Sequence, residues 1–127
     1  MKAPDLPGPV TKTASGRLAE DAAAAWLESS GWRLVARNWR KGPGEIDIVA
    51  TRSGDLAFVE VKRVDAFGLE ALSRSVGPIK RRRIVETAKL FLVYHREFEL
   101  MAPRFDVIAV RGDVIIQHLE RAFSEHT

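Results

Sequence analysis

The sequence predicts an α/β fold with helices flanking a mixed central sheet, in the order αβββαβ plus a closing strand. Three observations predict it. Segments of helical period alternate with segments of strand period. The dipeptide Ser53-Gly54 separates two apolar runs and marks a hairpin. A helical segment joins the third and fourth strands, which favours a right-handed crossover and a parallel pair inside the sheet.

The first helix is read from Ala14 to Ser30. It is alanine-rich from Ala22 to Ala25, and Gly31 stands where a left-handed C-terminal cap belongs. Leu18, Ala22, Ala25, Trp26 and Ser29 share one face, and Glu20 lies nearly opposite with Ala23, Ala24 and Leu27. The second stripe implies a helix covered on two sides with Glu20 partly buried. A surface Glu20, favoured by the helix dipole, is the other open reading. Trp32 to Arg40 alternates as a strand, with Trp32, Leu34 and Ala36 on one side and Arg33, Val35, Arg37 and Trp39 on the other. Trp32 and Trp39 read as core residues. Lys41-Gly42-Pro43-Gly44 is a turn.

Glu45 to Arg52 and Leu56 to Val64 are the second and third strands, and Asp65 to Val76 lacks a clean period and reads as a loop. Gly77-Pro78 opens a helix that runs to about His95, with Pro78 placed where its missing N–H costs nothing. Arg104 to Val110 is the fourth strand, Arg111-Gly112-Asp113 a turn, and Val114 to Leu119 the fifth strand. One domain is therefore expected over residues 14–120, between a flexible N-terminal tail (1–13) and a C-terminal tail (121–127).

Composition narrows the class. The chain has 127 residues, 46% hydrophobic and 29% charged, as in an ordinary soluble globule. It has no cysteine, so disulfides and thiolate chemistry are excluded, and a reducing cytoplasm suits it. No apolar run approaches the ~18 residues of a membrane span, so no membrane partner is expected. The formal net charge of +3 is a weak pointer to nucleic acid. Its distribution says more, with Arg33, Arg37, Arg40 and Lys41 in one segment and Lys80-Arg81-Arg82-Arg83 in another. Solvated faces and phosphate contacts are both open readings of these clusters.

The chemistry-bearing residues meet across the hairpin. With Ser53-Gly54 as a two-residue turn, Asp47 stands across from Glu60 and Glu45 across from Lys62, all four on one face. Opposed Cβ atoms lie ~4.5–5.5 Å apart, so the two carboxylates repel each other. Ile46, Ile48, Val59 and Val61 flank them, which places the pair in the core. A divalent cation gives such a pairing a reason. Hard cations such as Mg²⁺ or Mn²⁺ take one or two carboxylates, and the Val61 backbone carbonyl could add an oxygen to Asp47 and Glu60. Lys62 lies ~6.6 Å beyond Glu60 and could orient a water or neutralise a phosphate, a set suited to phosphodiester hydrolysis. A cross-strand salt bridge from Lys62 to Glu45 is the competing reading.

Asp47 followed by Glu60-Val61-Lys62 across a hairpin resembles the PD-(D/E)XK nuclease superfamily, whose core has this element order. More closely, Gly44-Glu45-Ile46-Asp47, Phe58 to Lys62, Phe67-Gly68, Lys80 and Arg104 to Ile108 resemble the YraN family of bacterial proteins. That family is similar to archaeal Holliday-junction resolvases, and the resemblance runs from about Ser15 to Val110. It implies a restriction-endonuclease-like fold and makes Glu20 the acidic residue of the first helix, joining the metal shell through a water. Arg63-Val64-Asp65 and residues 74–78 depart from the pattern and bear on the substrate loop.

The expected activity is therefore a Mg²⁺- or Mn²⁺-dependent endonuclease on DNA, branched or damaged, with catalytic Glu20, Asp47, Glu60 and Lys62. Lys80 is expected at the scissile phosphate or as a snorkelling lysine, and Arg81, Arg82, Arg83, Arg40 and Lys41 as further phosphate contacts. No small-molecule cofactor is expected. Junction resolution would need two active sites, hence a homodimer. The alternatives are a non-catalytic DNA-binding module retaining the fold in repair or recombination, and a protein-interaction domain. Asp106 reads as a structural partner for an arginine, and His95, His118 and His126 show no metal-ligand spacing.

Overall fold

The computed structural model describes residues 12–64 and 76–125. The tail residues 1–11, the loop residues 65–75 with Phe67-Gly68, and His126 lie outside the described residues. The chain runs α1 (Ala14–Ser29), β1 (Arg33–Lys41), β2 (Gly44–Arg52), β3 (Asp55–Arg63), α2 (Pro78–Tyr94), β4 (Ala102–Arg111) and β5 (Val114–Phe123). A single 3-10 turn over Arg96–Phe98 follows α2. The strands lie in the order β1-β2-β3-β4-β5, antiparallel except for the parallel β3–β4 pair, as the intervening helix requires. The α/β fold and its mixed sheet are as expected. No helix of the described residues is long and apolar enough to cross a membrane.

Two apolar clusters cover the two faces of the sheet. Against α2 lie Ile46, Val49, Leu56, Phe58, Phe105 and Val107 with Ile84, Ala88 and Phe91. Against α1 lie Ile48, Ala50, Ala57, Val59 and Ile108 with Ala19, Ala23, Ala24 and Leu27. Small side chains on α1 let its backbone approach the sheet closely. Thr13 starts the helix by accepting the Gly16 N–H at 3.0 Å.

Four details correct the sequence reading. The helix α1 is covered on the Glu20 side, whereas Leu18 and Trp26 of the other stripe are exposed. In β1, a bulge between Leu34 and Ala36 and a positive φ of 53° at Asn38 break the alternation. Trp39 therefore packs toward α2, while Arg37 reaches Asp21 of α1 at 2.8 Å. Strand β5 continues to the buried Phe123, so residues 121–123 belong to the sheet and not to a tail. Lys12 and Thr13, assigned to the N-terminal tail, are packed against α1 and the sheet.

The β2–β3 turn is the two-residue hairpin expected, with positive φ at both Ser53 and Gly54. Its register matches as far as Ile48–Val59. There the ladder ends and the strands part. This fork positions the site.

Candidate functional site

Beyond Ile48, the backbone of β3 bonds to a side chain instead of to β2. The Val61 N–H donates to Asp47 Oδ2 at 2.8 Å. Asp47 and Glu60 are thus not a ladder pair, because the Asp47 carboxylate has taken the place of a backbone acceptor. Both line one cleft of about 840 Å³, together with Glu20, Glu45, Val61 and Lys62. Arg63, Lys80 and Arg83 complete its cationic rim. The predicted catalytic residues Glu20, Asp47, Glu60 and Lys62 are therefore brought together, from α1, β2 and β3.

Three of these carboxylates are almost fully buried: Glu20 at 3%, Asp47 at 7% and Glu60 at 7% exposure. Buried charge demands a partner. For Glu20 and Asp47 it is Lys12, whose Nζ lies 2.7 Å from Glu20 Oε2, 3.2 Å from Asp47 Oδ1 and 3.6 Å from Glu45 Oε1. Arg37 Nη2 stands 3.6 Å from the other Glu20 oxygen. For Glu60 it is Lys80 Nζ, at 2.5 Å. Burial works against the Lys12 ammonium, yet the Glu20 bond and the charges of Asp47 and Glu45 outweigh it and raise its pKa above the ordinary lysine value. Burial, and then the Asp47 charge, push the Glu60 carboxyl up to about 7 against the pull of Lys80. Burial also raises Glu45, despite Lys12.

Lys62 makes no ion pair with Glu45, whose ammonium partner is Lys12. Among the described residues the Lys62 ammonium has no hydrogen-bond or salt-bridge partner, although it lies near enough to Glu60 to lower that carboxyl's pKa. Sequence reasoning missed Lys12 because it stands 35 residues from Asp47, in a stretch with no periodicity. It missed Arg37 because of the β1 bulge.

The basic segment of α2 divides. Lys80 and Arg83 face the cleft, whereas Arg81 turns away, its Nε donating to the Val76 carbonyl at 2.7 Å. Arg82 is exposed, as are Arg40 and Lys41 on β1, outside the cleft lining. Lys41 lies over the Tyr94 ring, 4.9 Å from its centroid.

On the α1 face of β4, away from the cleft, Asp106 is the arginine partner expected. It accepts from Arg104 at 3.0 and 2.8 Å, from the Arg121 N–H at 3.1 Å and from His118 Nε2 at 2.7 Å. The Trp26 indole donates to His118 Nδ1 at 3.1 Å, so the imidazole proton sits on Nε2. With both ring nitrogens engaged, His118 ties α1 to the β4–β5 edge.

The model of "Uncharacterised protein family UPF0102" matches residues 19–110, which hold Glu20, the hairpin and β4. The chain belongs to the UPF0102 family. Relatives of that name support the membership over nearly the whole length. A UPF0102 protein of Treponema pallidum (strain Nichols) is 43% identical over 116 residues, covering 87% of this chain and 92% of its own. One from Azorhizobium caulinodans is 42% identical over 123 residues, covering 94% and 92%. A third, from Rhodopseudomonas palustris (strain BisA53), is 36% identical over 124 residues, covering 98% and 94%. The resemblance drawn from the Gly44–Asp47, Phe58–Lys62 and Arg104–Ile108 motifs thus holds at family level.

Proposed function

We propose that the cleft is the active centre of a divalent-metal-dependent nuclease that hydrolyses DNA phosphodiester bonds. One observation carries the reading: four carboxylates, three of them buried, meet at a fork in the sheet beneath a rim of Lys62, Arg63, Lys80 and Arg83. Acid below and cations above suit a phosphate approached from the rim, with a hard cation between the two.

The donor set fits Mg²⁺ or Mn²⁺ in chemistry, being carboxylate oxygen throughout. No group of three acidic, histidine or cysteine side chains among the described residues is gathered ready for a metal. The acidic oxygens gather instead around the Lys12 ammonium, a stand-in cation. Asp47 and Glu60 would hold the metal, and Glu20 would join them through a water. When bound, the metal lowers the pKa of a water and stabilises developing negative charge.

The remaining roles fall to the chain itself. The Val61 N–H fixes Asp47 by Oδ2 and leaves Oδ1 turned to the cation. Lys62 orients the attacking water or neutralises charge on the phosphate. Lys80 and Arg83 bind flanking phosphate oxygens. Branched DNA as substrate and a homodimer as the working unit follow from the likeness to junction resolvases.

The test is cleavage of labelled linear, flapped and four-way DNA with Mg²⁺ or Mn²⁺, using wild type, Asp47→Ala and Lys62→Ala. Metal-dependent cutting lost in both variants is expected. No cutting of any substrate, with binding unchanged in both variants, would sink the enzyme. A second reading, a DNA-binding module without catalysis, is favoured by one observation: Lys12 and Lys80 already neutralise the carboxylates without metal. It predicts salt-sensitive binding and no cutting.

A further inference from the structure

We infer that Lys12 belongs to the site and holds the cation position in the metal-free protein, competing with a divalent ion for Glu20, Glu45 and Asp47. The inference rests on the metal-dependent reading above. It adds to that reading a residue from outside the hairpin motif and a part for Glu45, the fourth carboxylate, in holding the cation.

The geometry is that of a coordinated cation. One ammonium meets three carboxylates, from α1 and from two positions of β2, at 2.7, 3.2 and 3.6 Å. Its contact on Asp47 is Oδ1, the oxygen left over once Val61 has taken Oδ2. Among the described residues Oδ1 is the Asp47 oxygen with no backbone donor, and an ion bound there would share it with Lys12. Two positive charges on the same three carboxylates repel, so each weakens the binding of the other.

The backbone at Lys12 is secured independently of its ammonium. Arg17 Nη1 donates to the Lys12 carbonyl at 2.7 Å, and the Arg17 N–H donates to the Thr13 carbonyl at 2.9 Å. Thr13 also caps α1. A displaced Lys12 side chain can thus swing on an anchored stem, within a cleft whose wall it already lines. A simple structural salt bridge would need neither the cleft nor three acceptors.

The competition has a readout separate from activity. Mn²⁺ binding is measured by the loss of free-ion electron paramagnetic resonance signal and by calorimetry, for wild type, Lys12→Met, Lys12→Arg and Lys89→Met. Lys12→Met keeps the apolar stem and deletes the charge, so Mn²⁺ should bind about tenfold more tightly or better. Lys12→Arg should stay at or below wild-type affinity. Lys89→Met removes one positive charge away from the cleft, from contacts to Glu86 and Glu125, and should change affinity little. Should Lys12→Met prove hard to fold, Lys12→Gln carries the same expectation. Equal or weaker Mn²⁺ binding in the uncharged variants would overturn the inference while leaving the metal site standing. Absence of Mn²⁺ binding in every variant would overturn both.

Discussion

Replacing Glu60 by Gln isolates the most strained charge of the cleft. In the folded protein its carboxyl is pushed to about 7 from an ordinary value of 4.5, first by burial and then by Asp47. The folded state therefore holds more proton than the unfolded chain between pH 4.5 and 7. Stability from this group is fully present at the acid end and is lost as pH rises through 7. A tenfold gain in proton affinity corresponds to ~1.4 kcal/mol, so ionised Glu60 costs about 3 kcal/mol at pH 8.5. The pull of the half-exposed Lys80 is already contained in that value. Urea denaturation of wild type and Glu60→Gln should thus give similar stabilities near pH 4.5. Above pH 8 the variant should lead by about 3 kcal/mol. Titrating groups that do not interact with Glu60 cancel in the difference. Stability curves that run parallel from pH 4.5 to 8.5 would refute the reasoning, because they would mean that Glu60 ionises in the fold at no cost.

Three other expectations follow from single contacts. Asp106→Asn leaves the buried Arg104 guanidinium short of its counter-charge and should cost about 3–5 kcal/mol in urea denaturation. Despite burial, bonds from His118 and Arg104 lower the Asp106 carboxyl to about 2, so the loss should be full above pH 4 and shrink as pH falls through 2. Gly42→Ala forces an alanine into φ 68°, with its Cβ against Leu90, and should lower stability by about 1–2 kcal/mol by thermal melting. For DNA binding, Lys80→Ala with Arg83→Ala should reduce the slope of log affinity against log salt by about 2. Arg81→Ala should leave the slope nearly unchanged, because that guanidinium bonds to Val76 away from the cleft.

Local chemistry made much of the fold legible. Ser53-Gly54 admits a two-residue turn with positive φ, and that turn fixes the register of the hairpin as far as Ile48–Val59. The helical span between β3 and β4 dictates a parallel pair. The alignment of Glu20 with Ala23, Ala24 and Leu27 left burial and a surface position both open, and the structure buries it. Readability stops where side chains replace backbone. A constant register carries Asp47 to the position opposite Glu60 in a ladder, and nothing in the spacing announces that Asp47 will accept the Val61 N–H instead. The β1 bulge, which brings Arg37 to α1, is equally silent in a pattern that alternates on paper.

The same departure from the ladder explains how the fold tolerates its site. Carboxylates opposed in a continuous hairpin would repel across its closest spacing and weaken every pair beyond them. By opening the strands after Ile48–Val59, the chain trades those backbone bonds for one from Val61 to Asp47 and places Lys12 and Lys80 beside the acids. The repulsion is then answered by two exchangeable cations and not by fixed packing. Lysine ammoniums at 28% and 48% side-chain exposure can reach water when another cation takes their place on the acids, whereas a buried arginine clamp such as Arg104 on Asp106 has no such exit. Both arrangements satisfy buried acids in one small domain, and they differ in reversibility. With Glu120, His118 and the Arg121 N–H of β5 bound to it, the clamp suits a joint between β4 and β5. The exchangeable lysines suit carboxylates that, in the proposed function, pass to a divalent cation.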